Sequence, residues 1–116
     1  MSERRRFNRF RLWMPATIGE GAAQVDAVGH DVSRQGALLV TTVAFEAGAN
    51  VMVGLSIPPA VDERVVLAAR VLRCADNHED PNGLWPFEVA VEFTDDHPEV
   101  EKQLRDLLKK LHVRMS

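Results

Sequence analysis

The sequence predicts an all-β domain, six short strands in a closed or nearly closed antiparallel barrel, followed by one C-terminal helix. Three observations carry that prediction. From residue 12 onward apolar residues recur mostly with period two, clusters of turn-forming residues interrupt them at short intervals, and the last 20 residues switch to helical spacing. A chain of 116 residues suits one domain with one modest core. Closure into a barrel also removes the exposed sheet edges that several short strands would otherwise leave.

The strands are expected at residues 12–18, 25–30, 37–42, 51–57, 65–74 and 87–93. Val51, Val53, Leu55 and Ile57 alternate with Met52, Gly54 and Ser56 until Pro58-Pro59 stops the run. Phe87, Val89, Val91 and Phe93 alternate with Glu88, Ala90 and Glu92, the pattern of a half-buried strand. Between the strands lie Gly19-Glu20-Gly21, the segment from Ser33 to Gly36, the segment from Ala47 to Asn50, and Asp80-Pro81-Asn82-Gly83. In the last segment Val100, Leu104, Leu107, Leu108 and Leu111 form one helical stripe. Asp96 followed by Glu99 resembles a capping box, Pro98 suits a first turn, and Lys109, Lys110 and His112 suit the negative end of the helix dipole. The organisation is an arm at 1–11, a barrel at 12–95, and a helix at 96–113 that packs on the barrel or closes one end.

Composition narrows the function. Hydrophobic residues make up 46% and charged residues 27%, the balance of a folded domain. The single cysteine, Cys74, excludes an internal disulfide and a cysteine-based zinc cage, and fits a reducing compartment. No apolar run reaches the roughly 18 residues of a membrane span, and the N-terminus lacks the apolar stretch of a signal peptide. A cytoplasmic location is therefore expected. The net charge of −3 is unevenly spread: Arg4, Arg5, Arg6, Arg9 and Arg11 against Glu3 give the arm +4, leaving −7 for the rest. A cationic end on an acidic domain points to an anionic partner.

Catalytic readings are weak. His78-Glu79-Asp80 reads more simply as a polar loop than as a metal site, and His30 beside Asp31 has no accompanying nucleophile. Cys74 ends a strand pattern with only Arg73 beside it to activate it, so it reads as core or near-core. No cofactor is expected. Trp85-Pro86, before the last strand, is either a protein-contact point or a cap on the barrel.

Two polar stretches stand out instead. Arg5 and Arg9 lie four apart just before the first strand, and Asp31-Val32-Ser33-Arg34-Gln35-Gly36 forms a turn between two strands. In this order on a small β-domain they resemble the PilZ family, whose pattern is Arg-x-x-x-Arg followed by Asp/Asn-x-Ser-x-x-Gly. Arg5 and Arg9 match the first element, and Asp31, Ser33 and Gly36 the second. The resemblance covers nearly the whole chain and implies a six-stranded antiparallel PilZ-like β-barrel with a C-terminal α-helix. Ala90 stands where the family commonly has glycine, and Asn8 occupies a variable position.

The resemblance implies binding of cyclic di-GMP, and the residue chemistry suits that ligand. Arginine grips phosphate bidentately, donates to guanine O6 and N7, and stacks on bases. Asp31 can accept guanine N1–H and N2–H together, Ser33 can add a hydrogen bond, and Gly36 admits close backbone approach or positive φ. Arg4, Arg6 and Arg34 either add contacts, favouring two ligand molecules per chain, or are solvated surface charge. The expected output is an arm that becomes ordered on ligand binding and signals to an unidentified downstream protein. Two competing readings are a PilZ-like interaction module without nucleotide binding and a small nucleic-acid-binding barrel. Scarce aromatics and the −7 body argue against the latter.

Overall fold

Residues with one face on a core and the other in water alternate in polarity, and the alternating segments do form six strands. A computed structural model describes residues 9–58, 62–80 and 82–115. Arg4, Arg5, Arg6, Phe7 and Asn8 of the arm, and the turn prolines Pro59 and Pro81, lie outside the described residues. The strands are β1 (Met14–Glu20), β2 (Ala23–Val32), β3 (Gly36–Thr41), β4 (Asn50–Leu55), β5 (Val65–Asp76) and β6 (Phe87–Phe93), followed by helix α1 (Pro98–Met115). They close into a barrel in the order β1-β2-β3-β6-β5-β4, with β4 returning to β1 and every pair antiparallel.

Several boundaries differ from expectation for local reasons. β2 starts earlier because the β1–β2 hairpin turns in two residues, pairing Glu20 with Ala23. Gly21 supplies the positive φ, 57°, that such a turn requires. β4 ends at Leu55, not at residue 57, although Ile57 stays buried and the Ser56 amide donates to the Pro15 carbonyl at 2.9 Å. β5 runs to Asp76, which pairs with Phe87 at the start of β6, and it absorbs an extra residue, Leu72, as a bulge. That bulge returns Cys74 to the side of Val89, where it packs partly buried against the core and its Sγ accepts from the Phe45 amide at 3.4 Å.

The core fills the barrel with Met14, Ile18, Val32, Leu39, Val53, Leu55, Val71 and Val89, all fully buried, and α1 adds Val100 and Leu104. The helix starts differently from the capping-box expectation. Pro98 is its first residue, so His97 stands at the cap position, and its carbonyl accepts from the Val100 amide at 3.0 Å. The apolar stripe is buried only at its start. Leu107 is half-buried, Leu108 is exposed, and the side chain of Leu111 lies outside those described. The first turns of the helix therefore cover the barrel, and the following turn faces solvent. Among the described residues, no helix is long and apolar enough to cross a membrane.

Candidate ligand-binding site

A single extra residue builds the site. Opposed residues on paired antiparallel strands share a face. Along β2 and β3, Gly29 opposes Leu39 and Val32 opposes Ala37, both pairs turned inward. Between them Asp31 opposes Leu38, leaving His30 as the additional residue of a β-bulge. Were the register unbroken, His30 would oppose Leu38, and Asp31 would oppose Ala37 and point into the core. The bulge turns the carboxylate outward while keeping Val32 in the interior, the re-aiming that bulges perform beside functional sites.

The segment entering β1 lies against this turn. Phe10 pairs with Val32 through two backbone hydrogen bonds of 2.8 and 3.0 Å, and its ring is buried in the core. The arm is thus tied to the barrel at residue 10, inside the span expected to precede it. Arg9 then reaches over Asp31. Its Nε donates to Oδ1 at 3.3 Å and its Nη2 donates to Oδ2, a bidentate ion pair. The Asp31 side chain is only 7% exposed while that of Arg9 is 47% exposed. The hydrogen bond that Arg9 donates to Asp31, with the carboxylate's charge second, raises the Arg9 pKa above its usual value.

The loop beyond Asp31 is held by its own hydrogen bonds. The Ser33 amide donates to the Gly36 carbonyl at 2.9 Å, and the Ser33 hydroxyl accepts from the Gln35 amide at 3.1 Å. Gly36 does not take positive φ. A Cβ there would lie 2.5 Å from the Val91 carbonyl oxygen, so this position is glycine because β3 crosses close to β6.

Arg34, read as a ligand contact or a solvated charge, is bound within the fold. Its Nε and Nη2 donate to the two Asp96 carboxylate oxygens at 2.8 and 2.7 Å, and its Nη1 donates to Glu101 at 3.2 Å. Glu101 is buried and also meets Arg105 at 3.3 Å. The Arg34 carbonyl accepts from the His97 amide at 2.9 Å. The loop is therefore fastened to the start of α1, and the Asp96 carboxylate serves that strap in place of a helix cap. Hydrogen bonding to Arg34 holds the Asp96 pKa below the ordinary carboxylate value.

Arg4, Arg5 and Arg6 lie outside the described residues, so Arg9, Asp31, Ser33 and Gly36 are the motif positions brought together. A surface cavity of about 490 Å³ borders the other side of the Ser33–Gly36 loop, lined by Gln35, Arg70, Glu92, Asp95 and Asp96 among others, and its lining includes neither Arg9 nor Asp31. Its carboxylates suit a phosphate ligand poorly, and the bidentate arginine at Asp31 is the better candidate. Trp85 is half-buried, with its amide on Asp80 and its carbonyl accepting from Asn77, and the exposed neighbour is Leu84. Among the described residues, no group of His, Cys, Asp or Glu is placed to hold a metal ion.

Sequence reasoning missed Trp13, which stands exposed with its ring 4.4 Å from that of His30. Its signal was present: buried Phe10, half-buried Leu12 and buried Met14 alternate with exposed Arg9, Arg11 and Trp13, so period two begins before residue 12.

Comparison with known proteins agrees with this architecture. The sequence matches the PilZ domain profile over residues 3–110. Among solved structures, the chain is similar to the Bacillus subtilis inhibitor of motility MotI/DgrA, with TM-score 0.65, 17% identity, and coverage of 97% of this chain and 51% of that one. It is also similar to the PilZ domain of CeSA from a cellulose-synthesizing bacterium, with TM-score 0.57, 20% identity, and coverage of 90% and 98%. A third likeness is to Escherichia coli YcgR in complex with c-di-GMP, with TM-score 0.66, 14% identity, and coverage of 97% and 47%. The chain thus spans about half the length of MotI/DgrA and of YcgR. No curated protein matches it significantly in sequence. On the profile match and the six-stranded barrel that carries it, the chain belongs to the PilZ domain family.

Proposed function

We propose that the protein is a cytoplasmic receptor for cyclic di-GMP. The observation that carries this reading is the bidentate contact of Arg9 with Asp31, 22 positions apart in sequence, beside the Ser33–Gly36 loop on a PilZ barrel. The relative YcgR has been solved with c-di-GMP bound, which supports the choice of ligand.

The chemistry is a partner exchange. A phosphate offers Arg9 the same two-oxygen geometry that the Asp31 carboxylate offers. As the guanidinium turns to phosphate, Asp31 becomes available to accept the N1–H and N2–H of a guanine, and Ser33 supplies a further hydrogen bond. Arg5 is the second phosphate clamp, and Arg4 and Arg6 add charge that favours a second ligand molecule. Phe10, buried in the core, fixes the pivot, so the segment before Arg9 changes position on binding while the barrel does not. That change is the signal to a downstream protein. Arg34 stays on its strap and outside the ligand set.

A second reading draws on the same contact. Because Arg9 and Asp31 satisfy one another, the domain could serve as an interaction module without nucleotide. Titration with cyclic di-GMP, with GTP and cyclic di-AMP as controls, separates the two. Saturable binding of cyclic di-GMP alone supports the receptor, and no binding favours the module.

A further inference from the structure

We propose that Trp13, backed by His30, is a purine-stacking ledge that extends the ligand site beyond the motif residues. The inference rests on the receptor reading above and names a residue outside that reading's ligand set.

Burial alternates along residues 9–14. Phe10, Leu12 and Met14 turn toward the core, and Arg9, Arg11 and Trp13 are exposed. Two guanidiniums and an indole therefore follow one another on one outer row, with steps of about 7 Å between alternate residues of an extended chain. That order places cations for phosphate beside a flat apolar face for a base, which is the make-up of a nucleotide site rather than of a general anion patch.

The ledge is also fixed in place. Met14 opposes Gly29 at the end of the β1–β2 pairing, and the residues just beyond it, Trp13 and His30, are in ring contact. The two rings meet at 4.4 Å between centroids with planes tilted by 40°. His30 is the bulge residue that turns Asp31 outward. One irregularity in β2 thus sets both the carboxylate that reads a guanine edge and the ring beneath the indole. His30 Nδ1 is buried and without a hydrogen-bond partner among the described residues, so at this nitrogen the imidazole contributes packing against the indole and no polar contact. Trp13 remains 61% exposed, leaving much of its surface open to a base.

The test compares cyclic di-GMP binding by the full chain and by the variants Trp13→Leu, Trp13→Phe and Arg9→Ala. Circular dichroism checks that Trp13→Leu folds, as expected for a side chain outside the core. Stacking on one aromatic predicts that Trp13→Leu weakens binding about 5- to 100-fold while Trp13→Phe stays closer to the parent. In a Trp85→Phe background the remaining indole reports directly, and cyclic di-GMP should quench its fluorescence. Binding by Trp13→Leu within about twofold of the parent, where Arg9→Ala has lost it, overturns the ledge and leaves the receptor reading standing. Absence of binding by the parent chain overturns the receptor reading and the ledge with it.

Discussion

Among the described residues, two arginines form bidentate pairs with carboxylates, and they are built in opposite senses. At Asp31 the acid is covered and the base is open: the Asp31 side chain is 7% exposed and that of Arg9 47%. At Asp96 the base is the more covered partner: Arg34 is 22% exposed and Asp96 45%, with buried Glu101 on the other side of the guanidinium. An exposed guanidinium on a buried carboxylate can exchange partners with a ligand while remaining solvated. A guanidinium held between two carboxylates and a helix start is a fastening. Charge alone does not distinguish the two pairs; the burial of the partners does.

Breaking the first pair should have the largest effect. Arg9→Ala removes the proposed phosphate donor and leaves Asp31 without its cation. We expect loss of cyclic di-GMP binding together with a stability loss of about 1–2 kcal/mol, allowing for solvent at the exposed arginine. Urea unfolding would register the second effect. Adding Asp31→Asn to Arg9→Ala should restore part of that stability without restoring binding, since the uncompensated charge is then gone.

Gly36→Ala comes next, because a Cβ placed 2.5 Å from the Val91 carbonyl must push β3 from β6. The expected cost is about 1–3 kcal/mol, read as a lowered thermal midpoint. This change tests the scaffold under the Asp31 loop without altering either ion pair.

Arg34→Ala should act on the helix rather than on the ligand. Hydrogen exchange in the first turns of α1 should accelerate while cyclic di-GMP affinity is retained. An equal loss of affinity in Arg34→Ala and Arg9→Ala would erase the distinction between the two pairs.

The smallest effect is acid weakening of the strap. The Asp96 pKa is lowered, chiefly by its hydrogen bond from Arg34. Its contribution is therefore complete above the carboxylate's unfolded value and fades as pH falls through the lower folded value. Glu99, lowered by its hydrogen bond with His97, follows the same sign. The raised values of Arg9 and Arg34 keep both charged throughout that range. Unfolding midpoints measured from neutral pH into the acid range should fall less steeply for Arg34→Ala than for the parent chain.

The strands were legible because alternation is a local signal: β6 can be read directly from Phe87, Val89, Val91 and Phe93. The bulges were not, since one added residue leaves hydrophobic composition unchanged and shows only as a shift of partners, as at His30 and Leu72. The motif positions Arg9, Asp31, Ser33 and Gly36 were legible as a set, yet two of their local roles were not. Gly36 answers to β6 across the barrel, and the partner of Arg9 lies on the far side of the β1–β2 hairpin. Arg34 was hardest to read, because Asp96 stands 62 residues away and its spacing to Glu99 resembles a helix cap. Trp13 falls beyond an arm that ends at residue 11, although the alternation through Phe10, Leu12 and Met14 runs straight across that boundary.

The proposed division of roles is that the Arg9–Asp31 pair is the ligand switch and the Arg34–Asp96 pair is a strap. Calorimetric titration of cyclic di-GMP into the parent chain, Arg9→Ala and Arg34→Ala tests it directly. Saturable binding is expected for the parent and for Arg34→Ala, and none for Arg9→Ala. No binding by the parent, or undiminished binding by Arg9→Ala, would contradict it.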